Sequence, residues 1–475
     1  MCRTSPGERK ISSVESSLTV EMHATGHQHS PHRPNAHAPR GPSSLGRAVL
    51  TSLVSGAIAV LVLTLVVFAG GTEAAITGSM LLGFGSGWAL LGTLTVRRTS
   101  QPQRWAVVPA VAMSGTGTAL LACRPGDDTM SVLNWVWPPL TLALAIWVFV
   151  RIRRFLPGRS RWLLFPVVAM LALSSFGAAY GNIALRRDVN TLTAPGTLHD
   201  VGGHRLHLNC QGHGSPTVVL VNGLGELSAQ WARITGPVAA TSRVCAYDRA
   251  GQGWSDETGS PQDGLSAAED LHTLLAVAGE PGPYILVGHS TGGAYALTYA
   301  ARYPQQVAGM VLLDSSSPEQ FTRMPAYPRQ YELMRRGFAL LPTLRRLGLG
   351  HLLAGASPLP SPAAEQVTAL TSTPRAARNA RDEVSVIRDV FTQAQTLRTL
   401  ADRPLAVLTA STSGTIDGWA GAQDDLARLS SNRVHLTVDS THPGLLEDAR
   451  PAAESVHAVT AVVTAVRTGT PMSTR

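Results

Sequence analysis

Five apolar runs without a single Asp, Glu, Lys, Arg or His, at 48–70, 74–96, 105–123, 132–150 and 162–184, constrain this chain more than any other feature. Each is close to the ~20 residues that an α-helix needs to cross the hydrocarbon of a bilayer. A secretory leader does not account for the first run, because a long polar segment precedes it and four more runs follow. The expectation is a multi-pass membrane region of five helices over 47–185.

Basic residues flank the runs unevenly. Arg97, Arg98 and Arg104 follow the second run, and Arg151, Arg153, Arg154, Arg159 and Arg161 follow the fourth. The other loops are short or acidic, holding Glu73 in one and Asp127 and Asp128 beside Arg124 in the other. Positively charged loops stay in the cytoplasm, so the N-terminus starts inside and five crossings leave the rest of the chain outside. Arg186 and Arg187 pull weakly the other way.

Proton relays and ion pathways usually need ionisable groups at depth, and these runs have no Asp, Glu, Lys, Arg or His, which disfavours a transporter. Gly83 and Gly87, with Gly115 and Gly117, point to close helix packing. The region reads as an anchor in the cell membrane, with lipids as its partners. Residues 1–46 are rich in Ser, Pro, His and Gly and are expected to be a disordered cytoplasmic tail. Their histidines, His23, His27, His29, His32 and His37, lack Cys or carboxylate partners at structural-site spacing, so no metal is expected.

After a linker at 186–196 the pattern changes. A β-hairpin over 198–210 turns at Gly202 and Gly203, and short β-rich runs follow at 217–221, 243–247, 284–287, 310–313, 405–409 and 434–438. Continuous apolar strands separated by helical segments imply a parallel sheet covered on both faces, so 197–475 is expected to be one α/β domain. Within it, Leu286-Val287-Gly288-His289-Ser290-Thr291-Gly292 is a buried-strand run ending in G-x-S-x-G before a helix-forming stretch. A serine hydroxyl held on a strained strand-to-helix turn is the nucleophile such a motif supplies, which makes Ser290 the first candidate catalytic residue.

Together with Val221-Asn222-Gly223-Leu224-Gly225, with the segment Tyr247-Asp248-Arg249-Ala250-Gly251-Gln252-Gly253-Trp254-Ser255-Asp256, and with a late histidine, this elbow resembles the α/β-hydrolase superfamily. The resemblance implies an α/β-hydrolase fold: a mostly parallel eight-stranded sheet with helices on both faces and a helical cap. It also implies an oxyanion hole from the backbone N–H groups of Leu224 and Thr291; such donors typically supply ~3 kcal/mol each. Asn222 stands where many relatives carry His, a departure that bears on loop support. His442, after the last strand in Asp439-Ser440-Thr441-His442-Pro443-Gly444, is the expected base. For the acid the sequence leaves two positions open: Asp314, at the end of the sixth strand, and Asp417, in the loop after the seventh. Asp248, Arg249, Trp231 and Trp254 read as structural.

The insertion at 315–402 is expected to be the cap, with Met334, Phe338 and Leu341 at helical spacing in a helix that Pro342 ends or kinks. From Ser315 to Arg403 there are twelve Arg against seven acidic residues, an excess suited to anionic lipid, to an anionic substrate or simply to a solvated face. It counts against an aminopeptidase, although Glu319, Glu332 and Glu365 keep that option open. Cys210 and Cys245 fall on strands that neighbour each other in this family, so they form either a disulfide or two buried thiols.

The sequence therefore predicts a membrane-anchored serine hydrolase with an extracytoplasmic domain, cleaving carboxylic or lipid esters through an acyl-enzyme. It predicts no cofactor and no nucleic-acid partner. A serine nucleophile argues against epoxide hydrolases and haloalkane dehalogenases, which use a carboxylate in this fold. Amide or peptide cleavage is the runner-up, and a non-catalytic membrane sensor or scaffold is the alternative of a different class.

Overall fold

The computed structural model describes residues 43–156 and 158–473, so the expected tail and its histidines lie, up to residue 42, outside the described residues. Five long helices come first: α1 (Ser43–Val62, continued by a π-helical turn), α2 (Glu73–Arg98), α3 (Val107–Cys123), α4 (Asp127–Phe155) and α5 (Phe165–Thr191). With the short turns that extend them, all five are long and apolar enough to cross a membrane. Pro138 and Pro139 interrupt the hydrogen-bond ladder of α4, and the Asn134 carbonyl left without a helical donor accepts from the Asn182 side chain of α5 at 2.8 Å. Val66, Val111, Val132, Leu140, Leu173 and Phe176 face outward.

Small residues set how closely the helices approach. A Cβ on Gly83 would stand 2.6 Å from the Val60 backbone nitrogen, and one on Gly87 would stand 3.1 Å from the Gly56 Cα, so α1 and α2 meet backbone to backbone. Gly117 makes the equivalent approach to Gly78, whereas Gly115 faces open space and takes no part. The expected linker is shorter than the sequence indicates, because α5 stays helical through Arg186 and Arg187 as far as Thr191.

The C-terminal domain is an eight-stranded sheet, as expected, in the order β1-β2-β4-β3-β5-β6-β7-β8. The strands are β1 Thr197–Asp200, β2 Arg205–Gln211, β3 Thr217–Val221, β4 Val244–Tyr247, β5 Tyr284–His289, β6 Val307–Leu313, β7 Leu405–Ala410 and β8 Arg433–Val438. The edge strand β1 pairs antiparallel with β2, β2 pairs antiparallel with β4, and every later pairing is parallel. Continuous Val, Leu and Ile in β3 to β7 leave both faces apolar, and helices cover both. On one face α7 (Gly264–Val277) and α8 (Gly292–Arg302) pack through Leu271, Leu274 and Tyr299; on the other α6 (Ala232–Ala239) and the C-terminal helix 449–468 pack through Ile234, Val459 and Val462. Cys210 and Cys245, cross-strand partners in the β2–β4 register, form a disulfide.

Between β6 and β7 lie the helices α9 (Gln320–Arg323), α10 (Tyr327–Leu344), α11 (Gly350–Ala354), α12 (Ala363–Thr371), α13 (Pro374–Ser385) and α14 (Ile387–Ala394). Pro342 does not end α10, which continues to Leu344. Sitting in the last turn, the proline removes only one helical N–H donor, a loss the helix end tolerates. The break comes later, at Gly348, whose φ is +88°.

Much of the cap's arginine excess is directed at the five-helix bundle. Arg346 forms a buried pair with Glu73 at the start of α2, and Arg378 reaches Glu73, Asp127 at the start of α4, and Glu257. The Arg335 guanidinium donates to the Ala69 carbonyl at 2.6 Å, and Thr77 and Thr343 share a hydroxyl contact at 2.9 Å. The domain therefore docks on the end of the bundle that carries the acidic loops, and the basic loops lie at the opposite end.

Candidate active site

Ser290 sits at the turn between β5 and α8 with φ of +55°, a left-handed backbone that a side-chain-bearing residue adopts only when its surroundings impose it. Here the Ser290 N–H donates to the Leu313 carbonyl, and the Ser290 carbonyl accepts from Gly293 and Ser316. Gly292 allows the turn to press on β3, since a Cβ there would stand 2.2 Å from the Val221 carbonyl oxygen.

Asp314 leaves the end of β6, also at positive φ, and is wholly buried. Its carboxylate accepts from Ala410 N–H at 3.1 Å, Trp419 Nε1 at 2.9 Å and the Ser413 hydroxyl, and lies 2.6 Å from His442 Nδ1. Burial pushes its pKa up, but the hydrogen bonds from His442 and Ser413 outweigh this and hold it below the ordinary 3.8. His442 follows β8 and is partly exposed. Of the two acids the sequence leaves open, Asp314 is the one beside this imidazole; Asp417 is exposed on the loop before the helix 419–427. Among the described residues no hydrogen bond joins Ser290 Oγ to His442. The rings of His289 and His442 nevertheless lie 4.7 Å apart, which brings the residue next to Ser290 against the imidazole.

The loop after β3 completes the site. Asn222 donates to the Tyr247 carbonyl at 2.9 Å and accepts from Trp231 Nε1 at 2.8 Å, so it braces the loop from below. Gly223 N–H donates to Glu226 at 2.5 Å and Gly225 N–H to Glu383 at 2.8 Å. Among the described residues the intervening Leu224 N–H has no hydrogen-bond partner, and the same holds for Thr291 N–H. Arg249 and Gln252 hold the loop through the Gly223 carbonyl and Glu383, and Asp248 fixes Ser228, Trp254 and His207. Trp231 is buried beneath the sheet, and Trp254 packs with Leu227, Leu359 and Leu370.

One pair was not legible in the sequence. His289, at the variable position of the elbow, places Nδ1 2.6 Å from Glu226 and Nε2 3.0 Å from the His442 carbonyl. Both neighbours accept, so the ring makes both bonds only as an imidazolium facing a carboxylate. Burial lowers the His289 pKa, but Glu226 and the His442 carbonyl more than reverse this; burial raises that of Glu226, and His289 and Gly223 more than reverse that. The acidic residue four positions after Asn222 was the available signal.

Residues 216–449 match the model of a family described as alpha/beta hydrolase fold. The C-terminal domain is an α/β hydrolase by family. Curated relatives of the α/β-hydrolase domain include an uncharacterized protein of Schizosaccharomyces pombe, 33% identical in an alignment that covers 33% of this chain and 35% of that protein. Another is the 2-hydroxy-6-oxononadienedioate/2-hydroxy-6-oxononatrienedioate hydrolase of Paraburkholderia phymatum, 36% identical over 26% of this chain and 44% of that one. The chain thus spans less than half the length of either. Among solved structures, a thermophilic esterase from Thermogutta terrifontis aligns at 21% identity and a TM-score of 0.43, covering 55% of this chain and 94% of the esterase.

Proposed function

We propose that the chain is a membrane-anchored serine hydrolase that cleaves carboxylic or lipid esters, with Ser290 as nucleophile, His442 as base and Asp314 as the acid that orients it. The observation that carries this reading is the convergence of three strand ends: Ser290 at positive φ after β5, and His442 bonded at 2.6 Å to the buried Asp314. In the reaction Ser290 Oγ attacks the ester carbonyl carbon as His442 Nε2 takes its proton. The tetrahedral oxyanion is held by the free N–H groups of Leu224 and Thr291. Collapse breaks the bond to the alcohol, which leaves with the proton from His442; a water then attacks the acyl-enzyme by the same route and releases the acid. Asp314 stays ionised throughout, which its depressed pKa favours.

The extracytoplasmic position of the domain belongs to the same reading. It is supported by the basic loops at the far end of the bundle and by the Cys210–Cys245 disulfide, which suits an oxidising compartment. Labelling with a fluorophosphonate probe tests the chemistry: wild type is expected to label, and Ser290→Ala and His442→Ala are not. A folded wild type that does not label would put the sensor or scaffold reading first.

A further inference from the structure

We infer that the cap segment Arg345–Ala354 is embedded in the lipid leaflet beside α5 and takes the substrate from the bilayer, so that the esters cleaved are those of membrane-dissolved acyl lipids. This rests on the membrane-anchored hydrolase reading above and adds the substrate's source. The segment is a π-helical turn, Arg345–Leu349, followed by α11.

Its backbone lies directly on α5. A Cβ on Gly177 would stand 2.4 Å from the Leu347 carbonyl oxygen, one on Gly181 would stand 3.0 Å from the Gly348 Cα, and one on Gly348 would stand 2.1 Å from the Gly177 carbonyl. Gly177 is seven residues inside the end of the fifth apolar run, or about 10 Å at the rise of an α-helix. The segment therefore starts, at Leu347 and Gly348, beside the apolar part of α5 and rises toward Asp188, which His351 meets. The neighbouring cap contacts place the segment across the boundary: Thr343 meets Thr77 inside the second apolar run, whereas Arg346 meets Glu73 just before that run and His351 meets Asp188 just past the fifth.

The composition of the segment fits lipid on its free side. From Leu347 to Ala354 it reads Leu-Gly-Leu-Gly-His-Leu-Leu-Ala, with no Asp, Glu, Lys or Arg. Leu347, Leu349, Leu352 and Leu353 are 37%, 38%, 78% and 43% exposed, a cluster that water would not favour and acyl chains would. The polar groups are turned away from that side. Arg346 is paired with Glu73, Arg345 donates to the Thr373 carbonyl, and His351 is held by Asp188 and Ser372. Continuity with α5 identifies the occupant of the leucine face as the same lipid that covers Leu173 and Phe176.

The test uses the full chain in phosphatidylcholine vesicles, with Cys2 and Cys123 replaced by serine and a single bimane-labelled cysteine introduced by Leu352→Cys or, as a control, Asp417→Cys. Lipids doxyl-labelled on the acyl chain are expected to quench the first probe at least twofold and leave the control unchanged. A probe at 352 that is quenched by aqueous iodide and not by doxyl lipid overturns the embedding. A Leu352→Asp/Leu353→Asp variant is then expected to lose about tenfold in turnover of a long-chain ester held in vesicles while keeping turnover of a short water-soluble ester. Equal loss of both, or loss of neither, overturns the bilayer route. Failure of the underlying hydrolase reading is distinguishable, because wild type would then turn over neither ester whatever the probe reports.

Discussion

Helices α1 and α2 approach through Gly56, Gly83 and Gly87 and show valine and leucine to the outside, whereas the domain beyond them buries Asp248, Arg249, Glu226, His289 and Asp314, each against a named partner. The bundle is specified by shape, because in lipid there is no gain from hiding one apolar face against another and contact distance decides. The α/β domain is specified by polar satisfaction, because an unpaired buried charge there is costly. Asn134 and Asn182, which bond to each other between α4 and α5, are the bundle's one side-chain amide pair among the described residues.

This contrast is sharpest at Asp314. Asp314→Asn is expected to cut kcat by roughly 10³–10⁴, because the His442 imidazole loses its orienting charge, while Asp417→Asn leaves turnover near wild type. Steady-state kinetics on one ester checks both, and the opposite ranking would transfer the acid's role to Asp417. The next effect crosses from one region to the other. Glu73→Ala strips the buried partner from Arg346 and Arg378 and is expected to destabilise the folded protein by about 3–5 kcal/mol, read as thermal unfolding in detergent. A negligible loss would show that cap and bundle are held by shape alone.

Gly87→Leu is expected to drive α1 from α2 at a cost of about 1–3 kcal/mol, whereas Gly115→Leu, facing open space, is expected to be tolerated. Equal effects would break the account of the bundle as packed by small residues. The smallest effect is a change in pH dependence. His289, raised above its ordinary 6.5, contributes stability that is full below 6.5 and is lost as pH rises through its higher folded value. Glu226, lowered below 4.5, contributes stability that is full above 4.5 and is lost as pH falls through its lower folded value. A His289→Gln/Glu226→Gln variant is therefore expected to flatten the stability profile on both flanks, and unchanged flanks would show that the pair does not titrate with unfolding.

Local patterns carried most of what the sequence revealed. Charge-free runs gave the five helices, unbroken Val and Leu gave the parallel strands, and the elbow around Ser290 has its own residue signature. What stayed hidden depends on residues far apart in the chain. Nothing near Glu73 points to Arg346, 273 positions away, and the only sign of the His289 pair is an acidic residue, Glu226, four positions after Asn222. Pro342 shows the converse: its local meaning is clear, but it falls in the last turn of its helix and does not end it there.

The pairs that bind Arg346 and Arg378 to Glu73 and Asp127 also bear on inheritance. The segment 192–196 joins the five helices to the hydrolase domain, and an exchange made there would part Arg346 and Arg378 from Glu73 and Asp127. Cap and bundle are in this sense one heritable unit, and an exchange of either with a homologue is expected to succeed only when it carries the other.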